Sequence, residues 1–231
     1  METITSERFF RIYYAKPDPQ TIARQLRKPS GQAAGKVAAK MNEANAPLFD
    51  LTLETMQPAN DESILEIGFG SGKFLGKLFE QAGGLQVSGI DYSQAMLDNA
   101  TTHNRSLIDA GRLNLERGNS NDLPYPNGSF DKVFCNMVIY FWDQPGKHLS
   151  EVRRVLKPNG RFYTGMRAKS SMMKLPFIEH GFNVYEIDQW SSVLSANGFK
   201  VIDIIKELDP STEIEGEEMR MESICIVAEK R

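Results

Sequence analysis

Residues 64–72 read Ile-Leu-Glu-Ile-Gly-Phe-Gly-Ser-Gly: four strand-forming positions run directly into glycines at alternate places, Gly68, Gly70 and Gly72. Glycine lacks a Cβ and adopts positive φ without strain, so such a run suits a sharp turn that a ligand can approach closely. A helix-compatible stretch, 72–81, follows. Strand, glycine-rich turn and helix, in that order, describe a nucleotide-type site at the carboxyl end of a parallel strand.

From Glu62 onward the chain alternates. Strand patterns fall at 63–67, 86–90, 113–117, 132–136 and 161–166, and helical patterns at 72–81, 93–108 and 144–156. Alternation at these lengths implies βαβ units, a mainly parallel sheet and helices on both faces. A helix at 188–197, ended by Gly198, precedes two last strands, 199–205 and 222–228, close enough in sequence to pair as a hairpin across an acidic loop. Residues 1–60 lack strand patterns. They read as helices at 18–27, 32–45 and 47–56, broken at Lys28-Pro29-Ser30-Gly31 and before Pro47. The expected fold is α/β, a doubly wound, Rossmann-like, seven-stranded and mainly parallel sheet with an antiparallel last strand. An N-terminal helical extension or lid (1–60) packs on the core domain (61–231).

The 231 residues suffice for one such domain with a sizeable core. A net charge of −3 gives no electrostatic case for nucleic acid as a partner. Cys135 and Cys225 sit in apolar strand-like runs and read as buried small hydrophobes, with neither disulfide nor metal spacing. No apolar run reaches membrane-spanning length and the N-terminus has no signal-peptide core, so a cytoplasmic location is expected.

Spacing selects the ligand. A nicotinamide dinucleotide site asks for G-x-G-x-x-G, whose third glycine would fall at Lys73; this chain has G-x-G-x-G, ending at Gly72. Glu66, two positions before the first glycine, would repel a pyrophosphate but suit a cation, such as the sulfonium and ammonium groups of S-adenosylmethionine. Asp91, at the tip of the second strand, can accept both hydroxyls of a ribose. Ser93 is a good N-cap for the next helix, and Met96 would lie one turn into it, where an adenine face could pack.

These segments, followed by Gly118-Asn119-Ser120-Asn121-Asp122-Leu123-Pro124-Tyr125, Ser129-Phe130-Asp131-Lys132-Val133 and the run from Glu151 to Gly160, resemble class I S-adenosylmethionine-dependent methyltransferases. The nearest group is the small-molecule one that includes ubiquinone- and menaquinone-biosynthesis enzymes. The resemblance covers roughly residues 60–166 strongly and 185–230 loosely. It implies that Glu66 and the turn Gly68, Phe69, Gly70, Ser71 and Gly72 hold the methionine moiety. Asp91 would hold the ribose, with Tyr92, Ser93 and Met96 near the adenine. Asn119 stands where the family commonly has an aspartate for the adenine amino group. Ser120 would offer its backbone amide to an adenine ring nitrogen, and Asn136 would face the methionine end through its backbone. The run Leu156-Lys157-Pro158-Asn159-Gly160 reads as architecture: it ends a helix and turns into the fifth strand.

In-line methyl transfer needs alignment and water exclusion first, and a general base only for weakly acidic acceptors. No base stands out. Tyr140 lies in the loop 137–142 that would shape the acceptor site, while His148 and His180 are weaker candidates and His103 reads as a surface residue. Phe9, Phe10, Tyr13 and Tyr14 read as an anchor for the extension or a lid over an apolar acceptor. Arg24, Arg27 and Lys28 read as solvated charges. Met172 and Met173, near Leu175-Pro176-Phe177, suggest an adaptable acceptor wall. The function expected is methyl transfer from S-adenosylmethionine to a small-molecule acceptor, without a metal. The alternatives are a non-catalytic cofactor-binding regulator or assembly protein and, further off, a nicotinamide-dependent oxidoreductase.

Overall fold

The computed structural model describes residues 18–31, 34–214 and 217–231. Strands β1 (Ser63–Ile67), β2 (Gln86–Asp91), β3 (Leu113–Arg117), β4 (Phe130–Asn136), β5 (Leu156–Arg167), β6 (Phe199–Leu208) and β9 (Glu222–Lys230) build a sheet of order β3-β2-β1-β4-β5-β9-β6. β1 pairs in parallel with β2 and β4, β2 with β3, and β4 with β5; β9 runs antiparallel to both β5 and β6. Between β6 and β9 the acidic loop forms a small hairpin of its own, β7 (Thr212–Ile214) with β8 (Glu217–Met219).

The order reverses between β1 and β4, which opens a crevice at the carboxyl ends of the central strands. Helices α2 (Ala34–Met56), α3 (Leu75–Gln81) and α4 (Gln94–His103) cover one face, where Phe49, Met56, Leu75 and Ala100 meet Ile64, Phe134 and Tyr163. Helices α6 (Pro145–Val155) and α8 (Ile187–Ala196) cover the other, where Leu149, Val152 and Trp190 meet Leu65, Val133 and Phe162. Neighbouring residues of each strand enter opposite cores because side chains alternate along it. A further helix, α1 (Pro19–Arg27), precedes α2; α5 (Arg105–Asp109) follows α4, and the one-turn α7 (Lys169–Met172) follows β5.

The larger departures from expectation each have a local reason. α2 is one helix that runs through Pro47, where two were expected. Burial of Leu48, Phe49, Leu51, Leu53 and Met56 outweighs the ~3 kcal/mol that an interior proline costs. The helix expected over 93–108 divides at Asn104, whose Nδ2 donates to Gly72 O and Ala100 O, both at 2.9 Å. The helix after the glycines begins at Leu75, because Gly68, Gly70 and Gly72 all hold positive φ (77°, 56° and 69°). β5 begins at Leu156, which already pairs with Phe130; a register shift and Asn159 at φ 62° absorb the turn within the strand's bounds.

Candidate active site

Alternation places Asp91 (β2), Glu66 (β1), Asn136 (β4) and Arg167 (β5) on one face of the sheet, the face that α2 covers, all at the carboxyl ends of their strands. The glycine turn lies over this row. A Cβ on Gly68 would sit 2.4 Å from Val138 Cγ2, and one on Gly72 would sit 2.6 Å from Ala100 Cβ. At Gly70 a Cβ would meet nothing within 4 Å, so here the bare backbone faces open space. The flanks of the turn are gripped from behind. Ser71 Oγ donates to Asn42 Oδ1 of α2 at 3.1 Å, His103 Nδ1 lies 3.2 Å from Ser71 O, and Asn104 holds Gly72 O. Asn42 and Asn104 carry no motif, and the sequence did not single them out.

Glu66 is 5% exposed and, among the described residues, has neither a cation nor a hydrogen-bond donor. Burial pushes its carboxyl up to about 8, and the nearby charge of Asp91 adds to the shift. Asp91 accepts from Gly70 N–H at 2.9 Å on one oxygen and from Ser93 N–H at 2.8 Å on the other. Burial raises it to about 6, against the pull of the Ser93, Gly70 and Tyr92 amides. Each oxygen keeps a lone pair, enough for the two hydroxyls of a ribose. A buried carboxylate pair with no cation, beneath an open glycine cradle, fits a positively charged ligand that also carries a sugar diol.

The remaining residues expected at the donor stand as follows. Met96 is 1% exposed and packs with Ala34 and Ala38 of α2. Ser93 caps α4, accepting from Met96 N–H at 3.4 Å. Phe69 is 6% exposed and packs beneath Gly89 as part of the core. Tyr92 remains exposed, with Lys28 Nζ 4.2 Å above its ring. Asn119 is exposed and accepts from Asn121 N–H at 3.3 Å, whereas Ser120 is buried and hydrogen-bonded to His148. The Asn136 carboxamide lies 2.8 Å from Thr52 Oγ1 of α2, and its Nδ2 is buried without a partner.

None of the candidate bases is poised as one. Tyr140 is fully buried; its hydroxyl accepts from Arg167 N–H at 2.8 Å and donates to Arg167 O at 3.3 Å. Burial pushes its phenol well above the usual range, so Tyr140 braces β5. The His148 imidazole is held by Ser120, and His180 is exposed in the segment after α7. Arg27, read as a solvated charge, pairs with Asp143 at 2.9 Å and donates to Phe141 O, and Pro29 O accepts from Ser93 Oγ at 2.6 Å. The segment 27–29 thus crosses the loops after β2 and β4. Phe9, Phe10, Tyr13 and Tyr14 lie outside the described residues. No metal-binding cluster and no membrane-length apolar helix occurs among the described residues.

Comparison with known proteins agrees with this geometry. A family model described as a methyltransferase domain matches residues 65–164. The chain is 30% identical over 134 residues to a demethylmenaquinone methyltransferase of Clavibacter sepedonicus, covering 58% of this chain and 51% of that protein, about half the relative's length. It is 26% identical to the methyltransferase YdaC of Bacillus subtilis, over 85% of this chain and 97% of that one. Among solved structures, a geranyl diphosphate C-methyltransferase from Streptomyces coelicolor, in complex with S-adenosyl-L-homocysteine, shares the fold at a TM-score of 0.67 and 16% identity, covering 87% of this chain and 84% of that one. Residues 65–164, which hold the glycine turn and the switch point of the sheet, thus match a methyltransferase domain, and the chain shares its fold with solved methyltransferase structures.

Proposed function

We propose that this chain transfers a methyl group from S-adenosylmethionine to a small-molecule acceptor. The observation that carries the reading is Glu66, a buried carboxyl without a cation, beside Asp91, which accepts from the N–H of the open Gly70. When bound, S-adenosylmethionine supplies an activated methyl group on a sulfonium. Glu66 and the turn from Gly68 to Gly72 hold the methionine end, Asp91 the ribose, and residues 119–120 the adenine. Asn136 and the loop 137–142 border the place where the acceptor meets the methyl group. Segment 27–29 acts as part of a lid that keeps water from that place. The name of the Clavibacter relative supports a small quinone-like acceptor, and the apolar side chains of Leu175, Phe177 and Phe182 beside the loop agree with one.

Tyr140 is locked on Arg167, His148 is held by Ser120 and His180 lies exposed after α7, so we read the protein's contribution as alignment, with the acceptor supplying its own acidity. The test is release of S-adenosylhomocysteine across a panel of phenols, quinols and carbon acids. Turnover of one of them is expected. Tight donor binding without turnover of any acceptor in the panel would contradict an enzymatic role and favour a cofactor-binding regulator.

A further inference from the structure

His148 lies on α6, 8% exposed, and takes no part in the chemistry above. Its ring lies flat against Trp142, with centroids 4.6 Å apart and planes 4° apart. Trp142 is itself fixed: its carbonyl accepts from Asn183 Nδ2 at 3.2 Å and its indole meets Trp190 at 5.9 Å. The stack holds the plane of the ring, and the 2.8 Å hydrogen bond that Nδ1 shares with Ser120 Oγ selects one of its two flipped orientations. Both partners are buried, so water does not replace that bond when it is lost. Burial keeps the imidazole neutral, its value lowered to about 4 against the opposing charge of Asp143. Residues 119 and 120 are adjacent, as are the amino group and N1 on the edge of adenine. A side-chain acceptor at 119 and a backbone donor at 120 match that edge atom for atom.

We propose that His148 is a positioning residue for adenine recognition: acting through Ser120, it fixes the backbone amide that faces N1 of the donor's base. The proposal rests on the donor reading above, and His148 need touch neither donor nor acceptor. Hypoxanthine offers the test, because it carries a hydrogen on N1 and an oxygen in place of the amino group, reversing both contacts. Calorimetric affinities of the full chain for S-adenosylhomocysteine and S-inosylhomocysteine give a discrimination ratio that a general loss of stability does not move. The wild-type chain is expected to prefer the adenine compound. His148→Phe keeps the stack on Trp142 but lacks Nδ1, and should lower the ratio about tenfold. Ser120→Ala should do the same, and the double variant should lose no more than either single one. Wild-type discrimination that survives both substitutions would overturn the role of His148 and leave the donor reading standing. Binding without discrimination in the wild type would overturn the adenine assignment itself. Should His148→Phe fail to fold, an unchanged ratio in Ser120→Ala suffices to refute the proposal.

Discussion

At the scale of single residues, the site is an electrostatic arrangement that favours a cation. Glu66 and Asp91 are held above their ordinary values chiefly by burial, so the free protein binds protons there that the unfolded chain releases. The sign follows from linkage. A carboxyl raised from 4.5 to about 8 makes the folded state the better proton binder between those values. Its contribution to stability is therefore most favourable at low pH and falls as pH rises through that window. Glu66→Gln should flatten this part of the pH–stability curve, measured as melting temperature from pH 5 to 8.5. A slope identical to wild type would exclude Glu66 as its source. A bound cation favours the carboxylate, so affinity for S-adenosylmethionine should rise with pH between about 6 and 8 in the wild type and rise less in Glu66→Gln, where Asp91 alone still titrates. Asp91→Ala removes the acceptor for both ribose hydroxyls and should weaken S-adenosylhomocysteine binding by about 2–3 kcal/mol. Unchanged calorimetric affinity would refute the ribose role.

At the scale of elements, the glycine turn separates folding from binding within five residues. A Cβ added at Gly68 or Gly72 would meet side-chain atoms at 2.4 or 2.6 Å, whereas one at Gly70 would face open space. Gly68→Ala and Gly72→Ala should each destabilise the fold by about 2–3 kcal/mol in urea titration, from clash added to positive-φ strain. Gly70→Ala should cost stability only the strain, about 1 kcal/mol, yet lose more in donor binding than in stability. Equal stability losses at all three positions would contradict the open cradle. The same contrast marks what was legible in the sequence. β1 and β3 keep their expected bounds because each is a short apolar or alternating run closed by a turn residue, a signal local to the chain. α2 does not, since Pro47 breaks a helix locally while packing of Leu48 to Met56 on the sheet restores it. Met96 shows packing that the sequence did not announce. Its distance along α4 suggested the adenine; it is buried against the small Ala34 and Ala38 of α2, neighbours far along the chain that no local pattern names. The Asn42, His103 and Asn104 grip on the turn, and the Ser120–His148 bond, join residues 28 to 32 positions apart, a distance at which no local pattern speaks.

At the scale of the whole molecule, α2 ties the glycine turn to the far side of the sheet. Asn42 reaches the turn, Thr52 meets Asn136, and the Ala44 carbonyl accepts from Arg167 Nη2. Arg167 is 2% exposed and pairs directly with Asp209, which also accepts from Ser223 Oγ, so β5, β9 and the segment after β6 meet on one buried charge. Removing one member leaves the other charge unpaired. Arg167→Met should destabilise the protein by about 3–5 kcal/mol, and adding Asp209→Leu should recover most of that loss. A single variant as stable as wild type in urea unfolding would show that the pair does not hold these elements together. The central claim is that the crevice at the switch point, with its unpaired Glu66, is a seat for a cationic methyl donor. It is tested most directly by isothermal titration calorimetry of the full chain with S-adenosylmethionine and, separately, NADH. The expected result is saturable one-to-one binding of S-adenosylmethionine, weakened in both Asp91→Ala and Glu66→Gln, with no heat from NADH. Binding of NADH in place of S-adenosylmethionine, or S-adenosylmethionine binding indifferent to both substitutions, would contradict it.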